Sequence, residues 1–113
     1  MVNKARVRRL VAALRSGKYK RGIGRLRSED GKKFCCLGVA CDISGVGEWK
    51  KDWLDFRYLG NSSSLPQEVQ TYFGFDHSNP YLTANSMASD VNDGWGKSFK
   101  FIANMFEKKY LKS

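Results

Sequence analysis

No acidic side chain appears in this 113-residue chain before Glu29. Histidine is limited to His77, proline to Pro66 and Pro80, and cysteine to Cys35, Cys36 and Cys41. Each scarcity narrows the function. A nucleophile–base pair would have to join His77, which sits in a polar loop between Asp76 and Ser78, to one of three cysteines in an apolar run. An odd number of cysteines, two of them adjacent, cannot close an even disulfide framework and fits buried thiols in a reducing compartment. No apolar run approaches the roughly 20 residues that span a bilayer, so no membrane partner is expected.

Positive charge, by contrast, is abundant at one end. Ten basic residues precede Glu29: Lys4, Arg6, Arg8, Arg9, Arg15, Lys18, Lys20, Arg21, Arg25 and Arg27. The rest of the chain carries ten basic and eleven acidic side chains, so the net charge of +9 arises wholly in the first quarter. Concentrated like charge repels itself and gains most from an anionic partner, whether DNA, RNA, a nucleotide, an acidic protein or a charged surface. The segment is poor in serine, and its apolar period runs on into ordinary domain sequence. It is therefore expected to be part of the fold rather than a transit peptide.

The hydrophobic pattern predicts one domain over 1–113, of α+β class and mainly helical, with about four to five helices and a minor β-hairpin. Val7, Leu10, Val11 and Leu14 place a helix over 3–16. At about 100° per residue, Arg8 and Arg15 fall on one flank of its apolar stripe and Arg6 and Arg9 on the other. Residues 17–27 form a glycine-interrupted basic loop, and a turn at Glu29, Asp30 and Gly31 returns the chain as a hairpin onto 32–34. The run FCCLGVACDI at 34–43 is a buried element, helix favoured over strand. A long loop follows to Ser64, with one short strand near Phe56–Leu59. Ser64 and Gln67 form a capping-box pattern for a helix over 65–73 ended by Gly74. Thr83 caps a helix carrying Ala84, Met87, Ala88 and Val91. Ser98 caps the last helix, whose stripe is Phe99, Ile102, Ala103, Phe106 and Tyr110.

The chemistry on offer is binding. Gly22 and Gly24 can take positive φ, so the amides of 22–25 are expected to form a donor nest for phosphate, with Tyr19 as a stacking face. The binding residues expected are Arg8, Arg15, Lys18, Tyr19, Lys20, Arg21, Arg25 and Arg27. A flexible basic turn is the equally weighted alternative. Cofactors and metals are not expected. The cysteines lack the C-x-x-C spacing of zinc knuckles, and DVNDG at Asp90 has its glycine one place early for calcium and no glutamate at the twelfth position. Asp90 and Asp93 suit helix termination better than acid–base work. The last two helices can be drawn as a helix-turn-helix with Lys97, Lys100 and Asn104 towards bases, but none of these is an arginine, and most such helix pairs bind no DNA.

The blocks SGKYKRGIGRLR, FCCLGVACD and VNDGWGKSFKFIANMFEK together resemble small uncharacterised proteins encoded by tailed bacteriophages and their bacterial hosts. Their pattern is G-K-Y-x-x-G-x-x-x-L-R, then C-C-L-G-x-x-C-D, then L-P-x-x-V, then N-D-x-G-x-S-F-x-x-I-A. Here Gly94, Trp95 and Gly96 lengthen the turn before Ser98. The resemblance implies a phage accessory protein of the bacterial host cytoplasm and brings no catalytic assignment. The expected function is non-enzymatic: countering a host defence by stoichiometric binding of a nucleotide, a nucleic acid or a host defence protein. The alternatives are a general DNA- or RNA-binding protein and a small hydrolase. Homo-oligomerisation is left open.

Overall fold

A computed structural model describes residues 2–112. Helix α1 spans Lys4–Arg15, with Asn3 Oδ1 accepting the Arg6 amide at 3.1 Å. It buries Val7, Leu10, Val11 and Leu14, the four residues of the expected stripe. Helix α2, Cys36–Ser44, is the buried run and is helical as expected. Its Gly38 is required by contact: a Cβ there would lie 1.7 Å from the Leu26 carbonyl oxygen. Helix α3, Gln67–Phe73, ends at Gly74, which adopts φ 79°. Helix α4, Phe99–Phe106, is capped by Ser98 Oγ at 3.2 Å from the Phe101 amide and runs on through a wider π-helical turn, Glu107–Leu111. There Tyr110 packs 5.1 Å from Phe75 and donates to the Tyr81 carbonyl at 2.7 Å.

The fold is mainly helical, with two small two-stranded sheets. Helix α1 lies against α4 and α2, so the basic segment is an integral core element. Strands β1, Lys20–Arg21, and β2, Lys33–Phe34, pair in parallel. The expected return at Glu29–Gly31 is present: Arg27 bridges Phe34 antiparallel and the Ser28 amide donates to the Lys33 carbonyl at 2.8 Å. Strands β3, Trp49–Lys51, and β4, Phe56–Tyr58, form a second hairpin inside the segment expected to be a long loop with one strand.

Two expectations are corrected. The helix over 83–94 does not start at Thr83, whose Oγ1 accepts the Asn85 amide in a local turn, while Leu82 pairs with the Ser86 carbonyl. Helical structure starts only after Met87, whose amide is taken by Asp90 Oδ2, and closes as a π-helical turn, Asp90–Gly94. Short polar side chains bonding their own backbone offered 83–86 an alternative to the helix. The capping box at Ser64 and Gln67 is also absent: Gln67 reaches forward to Thr71, and Pro66 starts α3.

Candidate anion-binding cleft

The eight basic or aromatic residues singled out by sequence separate into three groups. Arg15, Tyr19 and Arg21 converge on a cleft of about 310 Å³ between the end of α1 and the start of α4. Leu14 and Phe99 form its apolar floor, and Ser98 and Lys100 line the opposite wall. Lys18 lies between two lining residues, Gly17 and Tyr19, and is exposed. Arg8 is exposed on the same flank of α1 as Arg15, about 10 Å away at 1.5 Å per residue. Lys20 is exposed on β1.

Arg15, Arg21 and Tyr19 are each held by a hydrogen bond. Arg15 Nη2 donates to Asn104 Oδ1 at 2.6 Å and lies 3.3 Å from Glu107 Oε1, so α4 fixes its direction. Arg21 Nη1 donates to the Asn92 carbonyl at 2.6 Å, a neutral acceptor that orients the guanidinium without cancelling its charge. Tyr19 donates to Asp42 Oδ2 at 2.5 Å and meets Phe34 edge-on at 5.1 Å. Burial first, then the Asp42 bond, raises its phenol pKa, so it stays protonated. At the N-terminus of α4, Ser98 takes the Phe101 amide, while the amides of Phe99 and Lys100 have no acceptor among the described residues. Free amides at a helix start favour an anion, and here two basic side chains that no acid pairs, Arg21 and Lys100, share their cleft. Sequence reasoning used Lys100 only as a would-be base reader, because nothing in its spacing tells that α4 begins opposite Arg21.

Arg25 and Arg27 leave this group. Arg25 Nη1 lies 3.0 Å from Asp55 Oδ1 and 3.3 Å from the Leu54 carbonyl, tying the glycine loop to the β3–β4 hairpin. Arg27 is enclosed by aromatic rings, 4.5 Å from the Phe56 centroid, 5.0 Å from Phe34 and 5.4 Å from Trp49. Its Nε donates to the Gly31 carbonyl at 2.9 Å. It is an internal cation, because three π faces satisfy it within the fold.

The donor nest expected over 22–25 is filled from within. The Gly22 amide donates to the Phe34 carbonyl at 2.7 Å, and the Gly24 amide, at φ 82°, donates to Asp93 Oδ2 at 3.1 Å. The fully buried Asn92 completes the anchor, accepting the Cys36 amide at 3.2 Å and donating to the Gly22 carbonyl at 2.9 Å. Three sequence blocks far apart in the chain, at the glycine loop, at Cys35–Gly38 and at Asn92–Asp93, thus meet at one point. A family comparison covers the same ground, matching residues 2–110. The chain belongs to DUF8296, a domain of unknown function. No curated protein and no solved structure matches this DUF8296 chain.

The three cysteines are buried free thiols, and burial pushes Cys35 up to about 11 and raises Cys36 and Cys41 further from ionisation than an exposed thiol. His77 is exposed and meets Tyr81 edge-on. Among the described residues no cluster of three or more histidine, cysteine or acidic groups stands in metal-binding range, and no helix is long and apolar enough to cross a membrane. Two larger concavities, of about 460 and 470 Å³, flank the β3–β4 hairpin, but both mix acids with bases, Glu48 with Lys50 and Arg57, and Glu29 and Asp30 with Lys33 and Lys51. A third, of about 440 Å³, is lined by Lys108 and Lys109 without an acid, but its other lining is Leu82, Thr83, Ala84 and Met105 and it holds no arginine, whereas the α1–α4 cleft joins Arg15, Arg21 and Lys100.

Proposed function

We propose that the domain is a non-enzymatic binding protein for a phosphate-bearing partner, held in the α1–α4 cleft. The observation that carries this reading is the convergence of Arg15, Arg21, Lys100 and the free α4 amides on one concave site. Exposed Lys18, Lys20 and Arg8 extend its field along the surface and favour capture of an anion from solution. Burial keeps the three thiols protonated and therefore poor nucleophiles, so this reading gives the cysteines a packing role. In the phage setting that the sequence blocks resemble, such a protein works in the host cytoplasm against a bacterial defence, by sequestering a nucleotide or by occluding a nucleic-acid-handling complex.

A general nucleic-acid-binding role uses the same cleft, and salt separates the two. Binding through several phosphates weakens by orders of magnitude between about 50 and 200 mM salt, whereas capture of one nucleotide loses less. Titration of labelled oligonucleotides and of single nucleotides across that range, with product analysis by chromatography, tests all three readings. Binding of neither class overturns the cleft assignment, and released product would make the protein a hydrolase.

A further inference from the structure

The β3–β4 hairpin presents a large apolar pair to solvent. Trp53 is 95% exposed and Leu54 58%, at the tip of a hairpin whose base is built into the core through Tyr58. The turn is held by bonds of its own. Asp52 Oδ1 accepts the amides of Leu54 at 3.2 Å and Asp55 at 3.0 Å, and its Oδ2 receives Arg57 Nε at 2.6 Å. Asp55 is paired with Arg25 and also lies near Arg57. Both carboxylates of the turn are therefore neutralised from inside, while Lys50 and Lys51 beside them make no ion pair among the described residues. The tip is an indole on a fixed turn with a net positive border.

The chain between tip and cleft is short, with the Asp93 carboxylate seated on the Gly24 amide midway. Arg21 lines the cleft and Arg25 holds the tip, and the four-residue step between them spans at most about 14 Å. Ile23, 63% exposed, lies on that step.

We propose that Trp53 is the base-stacking element of a single-stranded nucleic-acid site whose phosphates lie in the cleft, an assignment that rests on the cleft holding phosphate. Stacking of a base on an aromatic ring flanked by basic side chains is how sequence-tolerant single-strand sites gain affinity beyond charge. A duplex fits less well, since its bases are already stacked and the tip has a single indole. A membrane is also less favoured. Two buried side chains contribute at most about what one myristoyl chain does, and that alone binds membranes only marginally.

Two fluorescent probes of about 12 residues test the proposal, an oligothymidylate and an abasic phosphodiester strand of the same length. Wild-type protein binds the thymidylate more tightly. Trp53→Ala weakens thymidylate binding about tenfold or more and leaves abasic binding unchanged, and Trp53→Phe restores most of the loss. Lys18→Glu with Lys100→Glu weakens both probes together. Equal thymidylate binding by Trp53→Ala overturns the stacking role, as does a loss of equal size on both probes. If wild-type protein holds both strands equally, stacking fails while the cleft reading stands. If it holds neither, both fail. Loss of phosphatidylserine-vesicle binding in Trp53→Ala, with thymidylate binding intact, reassigns the tip to a lipid surface. Unchanged circular dichroism of each variant shows that the fold is retained.

Discussion

Asn92 Oδ1 accepts the backbone amide of Cys36 at 3.2 Å across 56 residues of sequence, and the same amide side chain donates to Gly22. One fully buried polar side chain thereby fixes the start of α2 and the glycine loop against each other. Replacing Asn92 by Ala leaves a buried N–H and a carbonyl unpaired. It should destabilise the domain by about 2 to 4 kcal/mol, read as a lower urea midpoint with an unchanged slope.

Lys18 and Lys100 offer the cleanest charge reversal at the cleft, since neither makes an ion pair or side-chain hydrogen bond among the described residues. Changing both to Glu should weaken binding of a phosphate strand about tenfold or more at low salt and reduce its salt slope. Stability should stay within about 1 kcal/mol. Fluorescence anisotropy and thermal unfolding check the two halves. Reversing Arg21 or Arg25 instead would also break their bonds to Asn92 and Asp55.

Phe106, buried between Phe75 and Tyr110, joins α4 to the segment after α3. Its replacement by Ala should cost roughly 3 to 5 kcal/mol, a large share of the stability of a domain this size. Denaturant titration should show the loss directly.

The cysteines supply a pH test. Burial raises Cys35 from 9.0 to about 11, so the folded state holds the proton more firmly than the unfolded chain. The stability that this contributes is full below pH 9 and is lost as pH rises towards 11. The melting temperature should fall across that interval, and a thiol reagent at pH 8 should label the native protein slowly and all three cysteines after denaturation.

Elements defined by a repeating apolar stripe were legible in the sequence. The Val7–Leu14 and Phe99–Phe106 stripes and the Ser98 cap follow from helical period and local capping, which need no knowledge of the rest of the chain. Of the β3–β4 hairpin only β4 was legible, as the short strand near Phe56–Leu59; its partner β3 was not, because a strand of three residues is too short to show alternation and the turn is set by Asp52 bonding its own backbone. The parallel β1–β2 pairing, two residues long, leaves still less trace. At the cleft, the concentration of charge was visible but its division was not. Arg21, Arg25 and Arg27 look alike in sequence, and only packing makes one a cleft residue, one a tether and one a caged cation.

The caged Arg27 has a consequence for motion. Its guanidinium touches Phe34 of one sheet and Trp49 and Phe56 of the other, two sheets too small to be stable alone. Fraying of either removes an aromatic wall from the cation that the other sheet also packs on. Amide protons of Phe34 and of Trp49–Lys51 should therefore exchange with deuterium through one shared opening, with a common free energy, and substitution of Arg27 should uncouple them into two faster openings.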